Sequence, residues 1–482
     1  MLEDIIHERK KKLEALTKAG FYPYPETVRR THLIRDVLES FNILSKSKKT
    51  VFVCGRITGL RDQGKIIFYD INDTSGKIQA VLKRENFEKH FSLFKENLDI
   101  GDFVEAGGTA FITLKKEKSI ALNSLRIIVK SLQPLPSQFY GLEDTETLLR
   151  KRYLDALLHP EIKEIFVKKN VFWQSFREFL RDQGFLEVET PVLEATPGGA
   201  DAEPFKTHHN ALGADFYLRI SLEISLKKLL IAGYEKVFEI GRIFRNEGID
   251  AEHLQDYTQL EFYWAYSNYL ELMTLIQRMY RSVIKKTTGS LKTKWQGKTI
   301  DWGKKWPTVD YYTIFKKSTG LDLRVADDKL LFRFAVKKDL EPHESWGRGR
   351  LIDKIFSKTI RKDLIQPCFL VNPPADVEPL AKRIEKEPAK VARLQVVACG
   401  TELGKGFSEA NDPIDQRERF EEQMKLREEG DREAQRLDED FLEALEYGMP
   451  PAAGFGVSER LFAILMDKPV RETTIFPLMR KK

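Results

Sequence analysis

The chain has 482 residues, a hydrophobic content of 42% and a formal net charge of +6, which is mild for this length. Such a length normally forms two or more domains, and the charge permits a nucleic-acid partner without demonstrating one. We find neither an apolar run of about eighteen residues nor a secretory signal, so we expect no membrane association. The three cysteines are far apart in the sequence, which favours a reducing cytoplasm over a disulfide framework.

The first predicted element is a helix over residues 3–19, which the segment "FYPYPE" ends. From about residue 50 to residue 132, five segments alternate apolar and polar side chains between Gly, Asp and Ser turns. Five short strands in this space are typical of a closed barrel of the oligonucleotide/oligosaccharide-binding (OB) type. Such barrels stack single-stranded bases on aromatic side chains. Phe68 is a candidate, although an aromatic residue in a barrel strand more often belongs to the core.

The segment "QPLPSQFYG" predicts a linker between two domains. We expect an N-terminal helix in 1–30, an OB-fold domain in 31–135, a linker in 136–150 and a larger domain in 151–482. Helices and strands do not alternate strictly in the larger domain, so we predict an α+β fold with a mostly antiparallel sheet flanked by helices. Its predicted elements are helices at 160–183 and 222–232 and strands near 185–190, 236–245, 257–266, 367–372, 394–399 and 452–457.

A predicted hairpin in the larger domain carries the first polar cluster. The strand "KVFEIGRIF" ends at Arg245 and Glu247, and a second apolar strand begins at Tyr257. Arginine is favoured where a fork of donors must bind phosphate or carboxylate. Since side chains two apart share one face of a strand, a single face of the second strand carries Tyr257, Gln259, Glu261 and Tyr263. Aromatic rings near an arginine favour a binding site over a solvent-facing polar face.

Three further acidic residues extend this candidate site. Glu223 lies where a helix is predicted to begin, so it either caps that helix or faces the same cleft as Glu261. Neighbouring carboxylates repel each other unless a cation, such as a substrate ammonium group, lies between them. Glu402 and Glu409 flank the Gly-rich segment "GTELGKGFSEAND". Carboxylates suit Mg²⁺, although two exposed acids on a loop would give the same pattern.

A strand-to-helix transition near the C-terminus, "AAGFGVSERLFAILM", completes the predicted site. Ser458 is expected to cap the helix, and Arg460 lies in its first turn. Helix N-termini attract anions, so a phosphate is the expected ligand. Two arginines and a group of carboxylates together predict a site for a metal ion and a triphosphate. Neither a phosphate-loop signature nor a dinucleotide fingerprint occurs in the sequence.

Three segments in order resemble the sequence motifs of the class II aminoacyl-tRNA synthetases. They are "GFLEVETPVLEATPGGADAEPF", "VFEIGRIFRNEGID" with "YTQLEFYWAY", and "EYGMPPAAGFGVSERLFAIL". The resemblance is greatest to the lysyl enzymes, and it extends to "LEALTKAGFYPYP" and "LRKRYLDALLHPEI", so it covers nearly the whole chain. It implies a cytoplasmic homodimer that uses ATP and Mg²⁺ to join L-lysine to tRNA(Lys), with the dimer interface near Pro191.

The resemblance also implies a role for individual side chains. Arg245 and Arg460 would be catalytic, because they contact the α- and γ-phosphates of ATP, and Mg²⁺ would bind Glu402 and Glu409. The ATP site as a whole would comprise Arg245, Glu247, His253, Tyr257, Glu402 and Arg460. The lysine pocket would comprise Gly199, Glu223, Glu261, Tyr263, Phe407 and Glu409. Phe68 and Gln79 match positions that contact the anticodon.

Lys405 stands where the lysyl enzymes usually have an asparagine that touches the substrate. Either a bulge at the flanking glycines turns this side chain outward, or its ammonium competes for the pocket's carboxylates. Two other functions are compatible with parts of the sequence. A lysyl-type paralogue that modifies a protein would lack the barrel, and a non-catalytic RNA-binding paralogue would not need the paired arginines and glutamates of an ATP site.

Overall fold

The computed structural model describes residues 2–136, 144–248, 254–430 and 434–480. Two compact units divide the chain, Met1–Glu143 and Asp144–Lys482. The segment expected as a linker, 136–150, therefore ends inside the second unit, where residues 145–150 are helical. Among the described residues, no helix has both the length and the apolar content that crossing a bilayer requires.

The first unit contains the predicted closed barrel. Its strands are β1 (Thr50–Asp62), β2 (Ile66–Asn72), β3 (Lys77–Lys83), β4 (Phe103–Ile112) and β5 (Lys118–Val129). They pair in the order β1–β2–β3–β5–β4, and β4 closes the barrel against β1. The helices of this unit are α1 (Leu2–Lys18), α2 (Ile34–Glu39), α3 (Phe41–Ser47) and α4 (Phe91–Asn97). The OB-type barrel predicted from the alternating pattern is confirmed.

Phe68 lies on the outside of this barrel. Its neighbours Ile67 and Tyr69 are buried in the core, whereas Phe68 is half-buried and does not belong to the described residues that form or flank that core. In the pairing of β2 with β3, Phe68 lies opposite Val81, and Gln79 lies opposite the residue two positions after Phe68. The period-two geometry of strands therefore places Phe68 and Gln79 on the same outer face.

The second unit contains the remaining elements. Its strands are β6 (Leu186–Glu187), β7 (Leu193–Glu194), β8 (Lys206–His209), β9 (Ala214–Leu218), β10 (Lys236–Phe244), β11 (Asp256–Ala265), β12 (Lys292–Trp295), β13 (Lys298–Asp301), β14 (Thr308–Asp310), β15 (Cys368–Val371), β16 (Arg383–Ile384), β17 (Glu387–Val391), β18 (Arg393–Ala398), β19 (Thr401–Ser408) and β20 (Ala452–Ser458). Its helices are α5 (Thr145–Arg150), α6 (Arg152–Leu158), α7 (Pro160–Asp182), α8 (Glu223–Ile231), α9 (Tyr269–Thr288), α10 (Tyr311–Thr319), α11 (Asp328–Lys337), α12 (Arg348–Ile355), α13 (Pro413–Glu428), α14 (Glu439–Glu446) and α15 (Arg460–Leu465).

An eight-stranded sheet organises this unit within the described ranges. Its order is β14–β15–β18–β19–β20–β11–β10–β6, and only the two outermost pairs are parallel. One face packs on a large apolar core to which α7 and α9 contribute, with Phe172 and Phe262 fully buried. Because side chains alternate along β11, Glu261 and Tyr263 lie on the opposite face. The predicted α+β fold with a mostly antiparallel sheet is confirmed.

Candidate active site

A single cleft of about 1240 Å³ collects most of the predicted site residues. It lies over the polar face of the sheet, between β11, β19 and β20 and the starts of α8 and α15. The predicted residues that line it are Gly199, Glu223, Arg245, Glu247, Tyr257, Glu261, Tyr263, Glu402, Phe407 and Arg460. His253, expected near the outer phosphates, lies outside the described residues. Glu409 is not among the residues that line the cleft, and its place is described below.

Strands β10 and β11 form the predicted antiparallel hairpin, and Glu261 lies at its centre, buried to 3% exposure. The Glu261 Oε1 atom accepts hydrogen bonds from Ser221 Oγ at 2.7 Å, Leu222 N at 3.1 Å and Gln259 Nε2 at 2.6 Å. The Oε2 atom accepts one from the Tyr263 hydroxyl at 2.9 Å. These donors fix the carboxylate and stabilise its charge. They leave lone-pair capacity on Oε2 for a ligand.

Arg245 follows β10 directly and is fixed through both its backbone and its side chain. Its backbone N donates to the carbonyl of Gln255 at 2.8 Å, and its Nε donates to the carbonyl of Ile220 at 3.2 Å. The guanidinium carbon lies 5.7 Å from the centre of the Tyr257 ring, within the range of a cation–π contact. The expected pairing of an arginine with an aromatic plate at one end of the cleft is therefore present.

Glu223 begins helix α8, as predicted, but the chain's own lysine is its partner. Lys227, one helical turn later and fully buried, places its Nζ 2.6 Å from Glu223 Oε1 and 2.5 Å from Glu409 Oε2. The same ammonium lies 5.3 Å from the centre of the Phe407 ring. The sequence suggested a substrate ammonium between Glu223 and Glu261, whereas Lys227 lies between Glu223 and Glu409. The sequence carried a signal for this, since positions i and i+4 of a helix are neighbours.

The charge state of this trio follows from its burial. Burial raises the pKa of Glu223 and of Glu409, and Lys227 partly opposes that shift. Burial lowers the pKa of Lys227, but the two carboxylates more than reverse this, so its pKa lies above the ordinary value and the ammonium stays charged. Lys227 thus supplies one positive charge to two carboxyl groups whose ionisation burial opposes.

Gly199 lies against this trio and requires its lack of a side chain. Its φ is +82°, a left-handed conformation that L side chains rarely adopt. A Cβ atom at this position would lie 2.9 Å from the Cβ of Glu223 and 3.0 Å from the Cβ of Ser221. The backbone of the loop at Gly199 therefore approaches the start of α8 closely, which places it beside the acidic part of the cleft.

Lys405 remains in the cleft without neutralising Glu223 or Glu261. A bulge does occur in β19, at Leu403, but Lys405 still lines the cleft. Its Nζ lies 2.8 Å from Glu378 Oε2, and the buried Glu378 also lies 3.6 Å from Arg393 Nε. Neither alternative drawn from the sequence is correct, because a third acid, from a distant part of the chain, holds this ammonium.

Glu402 is the acid that fits a phosphate-bound cation. Burial would raise its pKa, but Arg393, Lys405 and further arginines lower it below the ordinary value, so it is ionised. Gln395 on the neighbouring strand donates a hydrogen bond to its Oε2 atom.

Glu409, the other expected Mg²⁺ ligand, is buried to 1% exposure and paired with Lys227. No group of three His, Cys, Asp or Glu side chains suited to a metal occurs in the described ranges. Mg²⁺ in nucleotide sites needs only one or two carboxylates, because phosphates supply other ligands. Glu402 therefore fits such an ion in this arrangement, and Glu409 does not.

Arg460 opens helix α15, as the sequence predicts. Its backbone N donates to Ser458 Oγ at 3.3 Å, and its Nη1 donates to the carbonyl of Glu402 at 3.3 Å. Because α15 has only six residues, the guanidinium rather than the helix end supplies the positive charge here. The preceding Glu459 is buried and forms an ion pair with Lys169 of α7. That pair ties the position of Arg460 to the core of the unit.

Comparison with known proteins places this architecture in a family. Residues 144–480 match the family model described as tRNA synthetases class II (D, K and N), and residues 51–135 match the model described as OB-fold nucleic acid binding domain. A lysine–tRNA ligase of Roseiflexus sp. (strain RS-1) is 42% identical over 100% of this chain and 99% of its own length. One from Moorella thermoacetica is 42% identical, covering 99% and 98% of the two chains.

The barrel and the cleft over an antiparallel sheet are thus those of a class II tRNA synthetase, and the chain belongs to that family. Within the class, its full-length similarity is to lysine–tRNA ligases, and it belongs to their family. A further relative of that name, from Thermoanaerobacter pseudethanolicus, is 41% identical over 100% of this chain.

Proposed function

We propose that this protein activates L-lysine with ATP and transfers the lysyl group to tRNA(Lys), as a cytoplasmic homodimer. The observation that carries the proposal is the placement of Glu261, which accepts hydrogen bonds from uncharged donors, in one cleft with Glu223 and with the two arginines Arg245 and Arg460. Free lysine brings two ammonium groups and one carboxylate. The group of Glu223, Glu261 and Glu409, here called the acidic corner, suits the ammonium groups, and Arg245 suits the carboxylate.

The chain's residues contribute mainly by positioning the substrates and neutralising their charge. Glu261 Oε2, beside the Tyr263 hydroxyl, would receive an ammonium group of lysine. Arg245 would hold the lysine carboxylate against the α-phosphate of ATP, with the adenine on the Tyr257 ring and the outer phosphates near Arg460. Mg²⁺, when bound at Glu402, would neutralise phosphate charge.

Two displacements complete the proposed reaction. A lysine carboxylate oxygen attacks the α-phosphorus, the bond to the bridging oxygen breaks, and pyrophosphate leaves. The terminal adenosine hydroxyl of tRNA then attacks the carbonyl carbon of the adenylate, loses its proton and displaces AMP. Neither step needs a covalent bond to the protein, which agrees with a cleft whose polar groups are held by ion pairs and hydrogen bonds.

The same charges disfavour aspartate and asparagine, the other amino acids named in the description of this synthetase family. Aspartate would place its carboxylate next to Glu261 without a positive partner, and an unpaired buried charge costs several kcal/mol. Lys405 does not offer that partner because it is held by Glu378. A non-catalytic RNA-binding role would leave the ionised Glu402 and the fixed Arg245 without a ligand. A protein-modifying paralogue is disfavoured by the barrel.

Pyrophosphate exchange with each amino acid in turn, with and without tRNA, tests the proposal. We expect exchange with lysine and not with aspartate or asparagine, because only lysine brings a side-chain cation to the acidic corner. Exchange with aspartate would refute the pocket assignment. Failure of all amino acids, in an assay where tRNA still binds, would favour the RNA-binding alternative.

Replacement of Phe68 by alanine tests the proposed anticodon face. A base stacked on an aromatic ring contributes about 1–3 kcal/mol, so we expect the KM for tRNA to rise by about fivefold to a hundredfold. Lysine-dependent pyrophosphate exchange should be unchanged, since activation does not involve the barrel. Phe111→Ala is the matched control, because Phe111 is also half-buried in a barrel strand but lies on β4 rather than on β2 or β3. Equal effects of both variants would refute the assignment.

A further inference from the structure

One wall of the cleft is lined by basic residues over a greater length than a triphosphate would occupy. Helix α12 continues through a π-helical turn, Phe356–Ile360, and a 3₁₀ turn, Arg361–Asp363. The basic wall is defined by five cleft-lining residues of this segment: Arg350, Lys354, Lys358, Arg361 and Lys362. Arg350, Lys354, Lys358 and Lys362 follow one another at intervals of four residues, which keeps consecutive members near one side of the helix, and Arg361 lies directly before Lys362. Arg350 and Lys362 are twelve residues apart, which corresponds to roughly 18 Å at the rise of an α-helix.

The three lysines of the basic wall have no acidic partner of their own among the described residues. Lys354, Lys358 and Lys362 form no ion pair with any carboxylate in the portion of the chain that the structure describes. Lys354 instead lies 5.5 Å from the centre of the Trp346 ring, and Lys358 and Lys362 are exposed. Asp353 is an acid on the same segment that also lines the cleft. The basic wall therefore presents a net positive surface to whatever enters.

The basic wall is held rigidly by its other side. Leu351, Ile352 and Ile355 of α12 are buried in an apolar cluster of the second unit. At Gly349 the helix lies so close to the segment that contains Asp376 that a Cβ atom would be 1.9 Å from the Asp376 carbonyl oxygen. A positively charged surface of fixed shape is suited to repeated anionic groups on a chain-like ligand.

We propose that the basic wall binds the phosphates of the single-stranded 3′ end of tRNA as that end enters the cleft. This inference rests on the proposed function, because the 3′ end must reach the adenylate. The cleft volume of about 1240 Å³ exceeds the roughly 300–1,000 Å³ usual for small-molecule pockets. Space therefore remains for a polymer end beside the two small substrates.

The two ends of the basic wall are not equivalent. At Gly400, the turn before Glu402, a Cβ atom would lie 3.1 Å from the Cα of Lys362, and Arg361 contributes to the lowered pKa of Glu402. This end adjoins the nucleotide corner, where the triphosphate would also lie. Lys354 and Lys358 lie earlier in the helix, away from this end. Substitutions at these two lysines therefore distinguish binding of the tRNA end from binding of ATP.

The test is the double variant Lys354→Gln/Lys358→Gln in the full-length protein. The KM for tRNA should rise about tenfold, with lysine-dependent pyrophosphate exchange unchanged. Each phosphate contact on a single strand contributes about 0.7 to the slope of log affinity against log salt, so two lost contacts should reduce that slope by about 1.4. The double variant Lys354→Arg/Lys358→Arg should keep both the KM and the salt slope of the unchanged protein. Lys337→Glu, on the exposed end of α11, changes the charge by the same amount as the glutamine double variant and should leave both values unchanged.

A truncated tRNA locates the contact. For tRNA lacking its single-stranded 3′ end, the double variant and the unchanged protein should bind with the same affinity. A difference that persists with truncated tRNA would place these contacts elsewhere on the RNA and overturn the inference. An unchanged KM for tRNA would also overturn it, as would loss of pyrophosphate exchange, which would assign the basic wall to ATP. Failure of the unchanged protein to exchange with lysine would instead refute the proposed function.

Discussion

Replacing Glu261 with glutamine is expected to lower lysine-dependent pyrophosphate exchange by about a hundredfold to a thousandfold. A charged hydrogen bond lost from a buried site costs about 3–4 kcal/mol, and each 1.4 kcal/mol is a factor of ten. Other acids do not compensate, because Lys227 holds Glu223 and Glu409, and Lys405 holds Glu378. Glu261 is the acid of this group whose partners are uncharged donors.

The geometry around Glu261 adds to the expected loss. The Glu261 carboxylate acts as the acceptor in all four of its hydrogen bonds, and at Oε1 two of the donors are the nitrogen atoms of Gln259 and Leu222. An amide has only one acceptor oxygen, so its NH₂ group must either face those donors or face the substrate ammonium. Either orientation is unfavourable, which makes this isosteric change more damaging than removal of one charge alone.

The measurement is exchange kinetics together with direct ATP binding. ATP affinity of the Glu261→Gln variant should stay within about twofold, because the expected nucleotide contacts lie at Arg245, Tyr257 and Arg460. Glu235→Gln removes the same charge from an exposed position before β10 and should leave exchange unchanged. Near-normal exchange by Glu261→Gln would show that another group receives the lysine ammonium.

The parts of the site that were predictable are those with short-range patterns. Period-two alternation predicts the hairpin β10–β11, and it places Glu261 and Tyr263 on one face of β11. The start of α8 at Glu223 was likewise visible in the sequence. The five-stranded barrel followed from the same alternation and from turn residues.

The interactions that were not predictable join distant segments. Glu378, directly after a short helical turn, reaches Lys405, and Glu409, directly after β19, reaches Lys227 of α8. The sequence showed that these acids exist, but the choice of partner depends on the order of strands in the sheet. Lys227 is an intermediate case, since its i+4 relation to Glu223 was visible and its burial was not.

Replacing Lys227 with methionine should destabilise the protein more than any surface change of charge. Methionine keeps the unbranched shape but leaves Glu223 and Glu409 buried without a cation. Breaking a buried ion pair by removal of one partner costs about 3–5 kcal/mol in the free energy of unfolding. We expect a loss of that size in urea unfolding of the full-length protein, together with weaker lysine binding, because the freed acids gain protons.

The adjacent residue supplies the control for this prediction. Lys228 pairs with Asp440, but both side chains are much more exposed, at 34% and 82%, so Lys228→Met should cost no more than about 1 kcal/mol. Adding Glu409→Gln to Lys227→Met removes one of the unpaired acids and should recover part of the lost stability, which a double-mutant cycle measures as a coupling energy. Equal unfolding free energies for the Lys227 and Lys228 variants would mean that the buried ammonium does not hold the acidic corner together.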